Sequence, residues 1–242
     1  MYKLLSVLVC ITYFHSTNAQ SASQVILGNG TLQAQNSMYY PVALVNRQGQ
    51  RINGEIDITA EGNPYYVNEW HKATITTFEG VILTADNIKM HLQANKVYYK
   101  KNEKEIIELS DGQIRELTFN DVQEGKVTFA CGYAAIDKNT VNTYYKVLSS
   151  GTYNLLCYID KPLVETKNQY SGEKRTAFET YTAYYMVING VIKAFNPKKD
   201  VKNIEKYILT ADKKIHENFM KTTTVKDITT AAALLNYINN YN

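Results

Sequence analysis

The fold class follows from the stretch TYTAYYMVINGVIKAF, which runs from Thr180 to Phe195. Two runs of mainly β-branched, aromatic and other apolar residues, Thr180–Ile188 and Val191–Phe195, are separated here by Asn189-Gly190. A type I′ turn needs a positive φ at both of its central residues, and Asn-Gly adopts this conformation readily. The stretch therefore predicts a β-hairpin with a two-residue turn.

Upstream of this hairpin, apolar runs alternate with turn signals as far back as His71. Most of the turns contain Gly or Asn, which tolerate the backbone conformations that tight turns require. Short strands spaced about ten residues apart are typical of an antiparallel meander, sandwich or half-barrel sheet. The predicted strands are His71–Phe78, Val81–Leu83, Asp86–Leu92, Lys96–Lys100, Glu105–Leu109, Gln113–Phe119, Lys126–Cys131, Thr143–Leu148 and Tyr153–Ile159.

After Phe195 the pattern changes from strands to short helices. Pro197 ends the strand region, and Asp227 is suited to cap a final helix. The apolar residues with helical spacing are Val201, Ile204 and Ile208, then Ile215 and Phe219, and finally Ile228, Ala231, Leu234, Leu235, Ile238 and Tyr241. The sequence thus predicts a mainly β protein with a C-terminal helical segment (α+β), in which two to three short helices buttress the sheet.

Tyrosine is unusually common, with 20 residues in a chain of 242. Because side chains alternate between the two faces of a strand, a Tyr doublet places one ring inward and one outward. The doublets either mark half-buried strands or provide an aromatic platform for a sugar or a peptide. The candidate binding surface consists of Tyr65, Tyr66, Trp70 and Tyr99, which are aromatic and near turns.

The first nineteen residues predict export. Lys3 supplies a positive charge, Leu4–Tyr13 is a short apolar run, and Thr17-Asn18-Ala19 has the small-residue spacing of a signal-peptidase site. The apolar run is much shorter than the roughly twenty residues of a membrane span. We therefore expect cleavage before Gln20 and a periplasmic or extracellular mature protein.

These patterns divide the chain into four segments. They are a signal peptide (1–19), a partly irregular N-terminal segment (20–54), an antiparallel β domain (55–195) and C-terminal helices packed on the sheet (196–242).

The charge balance bears on the class of partner. The chain has 26 basic and 23 acidic side chains, a formal net charge of +3, and so lacks the strong basic excess of a nucleic-acid-binding domain. Lysine is nevertheless concentrated in segment 198–226. This segment is either a solvated helical surface or a patch for peripheral membrane contact or a partner protein.

The two cysteines of the mature chain leave two alternatives. Cys131 and Cys157 form a disulfide in one, because an exported protein enters an oxidising compartment. In the other they stay free and act as small buried apolar residues, because both lie in apolar strand patterns.

The sequence motifs that support catalysis or metal binding are missing from this chain. His71, His91 and His216 do not have the paired spacing of metal ligands, and there is no Gly-x-Ser-x-Gly nucleophile elbow. Dinucleotide-binding and P-loop glycine patterns are also lacking. We therefore expect neither enzymatic activity nor a bound metal or cofactor.

Three parts of the chain resemble a broad set of exported β-rich proteins of Gram-negative bacteria. They are Gly62-Asn63-Pro64-Tyr65-Tyr66 with Glu69-Trp70, Tyr144-Tyr145-Lys146-Val147-Leu148 with Gly151 and Leu155-Leu156, and the closing Leu235-Asn236-Tyr237 with Asn242. The resemblance covers roughly residues 55–242. It implies a β-rich architecture and export, and it carries over no catalytic residue.

Three functions compete at this stage. The first is a non-catalytic protein of the cell envelope that serves as a protein-interaction or structural accessory module. The second is a carrier or sensor of a small apolar ligand, held in a cavity between sheet and helices. The third is a carbohydrate binder or hydrolase that uses Trp70 and exposed tyrosines.

Overall fold

The computed structural model describes residues 44–45, 51–52, 60–109, 111–167, 169–170, 172 and 174–241. The fold is mainly β, as predicted. Its strands are β1 (Leu44–Val45), β2 (Arg51–Ile52), β3 (His71–Thr77), β4 (Ile82–His91), β5 (Lys96–Asn102), β6 (Glu105–Leu109), β7 (Ile114–Val122), β8 (Gly125–Ala130), β9 (Tyr145–Ser149), β10 (Tyr153–Asp160), β11 (Leu163–Lys167), β12 (Lys174–Phe178), β13 (Tyr181–Ile188) and β14 (Val191–Phe195).

The predicted C-terminal helices are present. They comprise α1 (Pro197–Asp200), a 3-10 helix (Val201–Tyr207), a second 3-10 helix (Thr210–Asp212), α2 (Lys213–Met220) and α3 (Ile228–Asn239). The predicted signal peptide, 1–19, and most of segment 20–54 lie outside the described residues.

Ten of the strands form one open antiparallel sheet, in the order β14-β13-β10-β9-β8-β7-β3-β4-β5-β6. Neighbours in the chain are mostly neighbours in the sheet, so the topology is a meander with one return from β6 to β7. Two hairpins, β1-β2 and β11-β12, stand apart from this sheet. The predicted α+β class is confirmed, and the sheet does not close into a barrel.

The hairpin that defines the fold class forms as predicted. Ile188 pairs with Val191 across the turn, and Asn189 and Gly190 have φ angles of 51° and 76°. These positive angles are those that a type I′ turn requires.

Two strand boundaries differ from the prediction. Val81–Leu83 and Asp86–Leu92 were expected as separate strands, but a single strand, β4, covers most of both. Asn87 has a φ of 60°, and the β3-β4 register shifts between His71 and Ala73. The irregularity is therefore a β-bulge, which bends a strand without ending it.

The β11-β12 hairpin has no counterpart in the prediction. Six of its ten residues are polar and only one is buried, so they lack the apolar alternation that marks a half-buried strand.

The sheet buries apolar side chains on both faces. Leu155 and Leu156 are consecutive in β10 and therefore point to opposite faces. Leu155 belongs to the cluster beneath the helices, together with Met186 and Leu234. Leu156 belongs to a tyrosine-rich cluster on the other face, together with Tyr185.

The N-terminal half of the sheet has its own core. Its largest fully buried side chains are Ile88, Met90, Leu117, Phe119 and Phe129. Asn95, in the β4-β5 turn, donates from Nδ2 to the Asn142 carbonyl at 2.9 Å and accepts the Tyr144 N–H at 2.8 Å. Because these contacts cross β3, β7 and β8, the sheet is strongly curved around this core.

Helix α3 confirms the predicted cap and most of the predicted apolar face. The Asp227 side chain accepts the Thr230 N–H, and Thr230 reciprocates in a capping box. Four of the predicted apolar residues, Ala231, Leu234, Leu235 and Ile238, are fully buried. The prediction was wrong for Tyr241, which is 64% exposed because it follows the end of the helix.

Tyr153 joins the helices to the sheet. Its hydroxyl donates to Asp212 Oδ2 at 2.5 Å and accepts the Leu209 N–H at 2.8 Å. Its backbone N–H donates to Asn239 Oδ1 at 3.0 Å, and its carbonyl accepts from Asn239 Nδ2 at 2.9 Å. The side chain is fully buried, so these bonds fix the helical layer by satisfying polar groups shielded from water.

We expect Asn239→Ala to lower the free energy of unfolding by about 1–3 kcal/mol. It leaves the Tyr153 N–H without its partner and leaves the Tyr153 carbonyl with only the Ser149 hydroxyl, at 3.1 Å, as a side-chain donor. The measurement is urea denaturation followed by circular dichroism. Asn240→Ala is the matched control, since Asn240 is exposed, and we expect it to change stability by less than about 0.5 kcal/mol. Equal effects of the two substitutions would contradict the role given to Asn239.

Candidate functional site

The structure divides the candidate aromatic surface between the two faces of the sheet. Residues 64–66 run beside the end of β4, where Tyr65 pairs with His91 and the Tyr66 N–H donates to the Met90 carbonyl at 3.0 Å. Tyr65 and Tyr66 therefore point in opposite directions.

Tyr99 belongs to the core, and Tyr66 is partly buried and packs against the same core. Tyr66 packs edge-on against Phe129 with ring centroids 4.9 Å apart, and Tyr99 is only 4% exposed. Tyr65 and Trp70 are half-buried and meet on the other face, so two of the four predicted residues come together.

A lysine lies between Tyr65 and Trp70. Lys89 Nζ is 4.6 Å from the centroid of the Tyr65 ring and 4.8 Å from that of the Trp70 ring. Lys89 is in β4 and is only 9% exposed. Both distances are within the range of cation–π attraction.

Lys89 lacks an ordinary hydrogen-bond acceptor. In the described part of the chain, no carboxylate or carbonyl oxygen lies within hydrogen-bond distance of Nζ, whose contacts are the two rings. Burial lowers the pKa of Lys89, and the more distant Glu69 carboxylate partly opposes this shift. An ammonium group has three donors, and contact with two ring faces gives none of them an oxygen acceptor.

His91 is a second buried group on the same face of β4. The Ala94 N–H donates to His91 Nδ1 at 3.1 Å, so the neutral ring carries its hydrogen on Nε2. Nε2 is buried and has no hydrogen-bond partner among the described residues. The His91 ring meets the Tyr65 ring at 5.0 Å and the Tyr98 ring at 5.8 Å, both edge-on. Together, Tyr65, Trp70, Lys89 and His91 constitute the Lys89 site.

The segment that covers Lys89 is held at two points. Lys161 Nζ donates to the Tyr65 carbonyl at 2.6 Å. Further upstream, Glu61 exchanges backbone hydrogen bonds with β12 and forms a bidentate ion pair with Arg175. Tyr65 is therefore positioned by the sheet and by the β11-β12 hairpin, not by an isolated loop.

A second polar cluster, on the other face, has its charges compensated. Lys146 forms an ion pair with Glu124 and donates to the Tyr66 hydroxyl at 3.2 Å. That hydroxyl donates to the second oxygen of Glu124 at 2.8 Å. Burial, followed by the Glu124 hydrogen bond, raises the pKa of Tyr66. The three side chains satisfy one another, which is typical of a structural contact rather than of an activated base.

The two cysteines are free and buried, so the structure has the unbridged alternative. Cys131 donates its thiol to the Ile114 carbonyl at 3.1 Å in the N-terminal core, whereas Cys157 lies in β10 opposite Tyr184 and Lys146. Burial raises the pKa of each thiol to about 11. Both are therefore protonated at neutral pH and are poor nucleophiles.

The three described histidines do not converge. His71 Nδ1 is 3.3 Å from Asp121 Oδ1, His91 is buried beside Tyr65, and His216 is on α2. Within the described ranges, no three His, Cys, Asp or Glu side chains gather as a metal site. Among the described helices, none has the length and apolar character needed to cross a bilayer.

Two lysines of segment 198–226 bind to side chains of the same segment. Lys206 pairs with the buried carboxylate of Asp200, and Lys221 donates to Asn218 Oδ1 at 3.1 Å. Because these contacts are local, they favour the interpretation of segment 198–226 as a solvated helical surface over that of a patch for a membrane or a partner protein.

Sequence reasoning selected Tyr65 and Trp70 but missed Lys89. In the run Ile88-Lys89-Met90-His91, apolar and polar residues alternate, which predicts that Lys89 and His91 face solvent. They are buried because the segment before β3 covers them, and no local pattern encodes this long-range contact.

Comparisons with protein-family models, with curated proteins and with solved structures found no match to this chain. The geometry of the described residues is therefore the basis for a functional proposal.

We expect His91 to make the protein less stable in acid. Burial lowers the pKa of His91 from 6.5 to about 4, so below pH 6.5 the unfolded state binds a proton that the folded state does not. The stability that the neutral ring contributes is present above pH 6.5 and is lost as the pH falls towards about 4, by as much as roughly 3 kcal/mol.

Chemical denaturation of the wild type and of His91→Phe between pH 7.5 and pH 4 measures this loss, because the difference between the two curves removes the titration of all other groups. Phenylalanine keeps an aromatic ring and removes the ionisable nitrogens. The variant should lose less stability on acidification. Parallel curves would show that His91 is not held neutral by burial.

Proposed function

We propose that this chain is a non-catalytic exported protein of the cell envelope that acts as a protein-interaction module, and that the Lys89 site binds a carboxylate of its partner. The signal-peptide pattern of residues 1–19 and the resemblance to exported β-rich proteins support export. The Lys89 site supports recognition of an acidic group.

The observation that carries the proposal is a lysine that is only 9% exposed and whose Nζ has no oxygen acceptor among the described residues. Removing a charge from water costs several kcal/mol unless it is paired, so a site of this kind gains most from a ligand that brings a negative charge. A carboxylate supplies both the opposite charge and the acceptors that Lys89 Nζ lacks.

The rings of Tyr65 and Trp70 favour a charged ligand over a sugar. Sugar-binding aromatic residues need a free face on which the ring of the sugar stacks. Each of these two rings has Lys89 Nζ above one face, so at most one face of each ring is open to a sugar. The third hypothesis, a carbohydrate binder or hydrolase, is therefore less well supported than an interaction module.

The packing beneath the helices also weighs against the carrier hypothesis. Tyr153, Leu155, Met186, Leu234 and Leu235 are fully buried and fill the described interface between helices and sheet. A carrier of an apolar ligand would need an enclosed space of at least about 300 Å³. The space of about 310 Å³ beside Met186 and Tyr207 is a groove partly open to solvent rather than an enclosed cavity.

Trp70 provides a direct test, because it is the only tryptophan in the chain and its ring touches Lys89 Nζ. We expect a short peptide containing glutamate to change the Trp70 fluorescence in a saturable manner, and the same peptide with glutamine to have little effect. Binding should weaken as the pH rises through the pKa of Lys89, because the carboxylate prefers the protonated amine.

The matched variants are Lys89→Met and Lys72→Met. Methionine keeps most of the side-chain length and removes the charge, so Lys89→Met should weaken glutamate-peptide binding by about tenfold or more. Lys72 lies on the neighbouring strand β3, is exposed and pairs with Asp86, so Lys72→Met should leave binding unchanged. The proposal fails if glutamate and glutamine peptides bind equally, or if both variants behave like the wild type.

A further inference from the structure

Strand β14 is an open edge of the ten-stranded sheet. In the described sheet it has β13 on one side and no strand on the other. An unpaired edge presents a row of backbone donors and acceptors to any extended chain that approaches it.

The hairpin register identifies which backbone groups are open. Ile188 and Val191 flank a two-residue turn and exchange hydrogen bonds, and in an antiparallel pair such residues alternate with non-bonded ones. Lys193 therefore bonds to β13, whereas the N–H and C=O groups of Ile192 and Ala194 point away from it. No other described backbone group bonds to Ile192 or Ala194.

A groove opens beside this edge, between the β13-β14 hairpin and the 3-10 helices. It has a volume of about 310 Å³. Its apolar wall consists of Met186, Ile188, Val191, Tyr207 and Leu209, and its lysines are Lys193 and Lys206.

The two lysines of the groove differ in their partners. Lys206 is paired with Asp200. Lys193 is exposed and has no acidic partner among the described residues, so its charge is available to a ligand.

We propose that an extended peptide segment of a partner protein adds to β14 as an eleventh, antiparallel strand, with an acidic residue opposite Lys193. The Ile192 and Ala194 backbone groups bond to the added strand. Because successive side chains alternate between faces, the residue two positions after the acidic one lies opposite Val191, and an apolar side chain there enters the groove. The structure thus specifies an acidic-x-apolar segment.

The charge of Lys193 favours a foreign peptide over a second copy of β14. If two copies of β14 paired antiparallel with the longest overlap, Ile192 of one would bond to Ala194 of the other. Each Lys193 would then lie directly opposite its counterpart, and like charges in that position destabilise a strand pair. An acidic residue opposite Lys193 has the reverse effect.

This surface is separate from the Lys89 site. Seven steps in the strand order separate β14 from β4, which carries Lys89. The inference therefore goes beyond the proposed function and stands independently of what binds at Lys89.

Amide hydrogen exchange tests the inference on the full chain. The probe is a short peptide of β-branched residues that carries glutamate, any residue and leucine in succession. We expect it to slow exchange at Ile192 and Ala194 but not at Lys193, whose amide already bonds to β13. A peptide with lysine in place of glutamate should bind about tenfold more weakly.

Two pairs of variants separate the backbone and charge contributions. Ala194→Pro removes an outward N–H on an edge strand, where proline is tolerated, and should abolish binding, whereas Ala194→Val keeps the N–H and should retain it. Lys193→Glu should reverse the preference, so that the lysine peptide binds more tightly than the glutamate peptide.

The inference is overturned if exchange at Ile192 and Ala194 is unchanged by a saturating excess of the glutamate peptide, or if Lys193→Glu leaves the preference as it was. It is also overturned if these two amides become protected with rising protein concentration in the absence of peptide. That result would assign the edge to a second copy of this chain.

Discussion

A single antiparallel sheet with two faces to cover is the constraint on which the rest of this structure depends. The ladder satisfies the backbone groups that face a neighbouring strand, but each face of the sheet must still exclude water from apolar side chains. At the C-terminal end of the sheet, the helices cover one face. The segment before β9 covers the other face, where Tyr133 and Ile136 pack with Tyr145 and Leu156. The N-terminal half instead curves around its own core.

The way in which buried polar groups are satisfied distinguishes structural from functional regions. At Tyr153, every buried polar group has a partner, and the partners come from the elements that must be held together. At Lys89, two aromatic rings surround a charge for which the described residues provide no oxygen acceptor. The first arrangement stabilises the fold, and the second is the one to which we propose that a ligand binds.

The architecture could be predicted from sequence to the extent that it depends on local patterns. Asn189-Gly190 fixes a hairpin through its own backbone preferences, and Asp227 with Thr230 fixes a helix start. The strand that contains the bulge at Asn87 was predicted as two strands. From the local sequence alone, a bulge cannot be distinguished from a turn.

The candidate site could be predicted only in part. Tyr65 and Trp70 stand out by residue type, but Lys89 becomes exceptional only when a distant segment covers it. The segment that covers Lys89 is held by Lys161 and Arg175, which lie about a hundred residues after the residues that they bind in that segment. A periodicity argument uses near neighbours and cannot include such contacts.

The most direct test of the account is the protonation of Lys89, followed by NMR through the ε-carbon and ζ-nitrogen of the isotopically labelled full chain. The account predicts a pKa below the ordinary value of 10.5 in the free protein and an upward shift when a carboxylate peptide is added. An ordinary pKa that the peptide does not change would contradict it, because Lys89 would then be a solvated lysine with no need for a ligand.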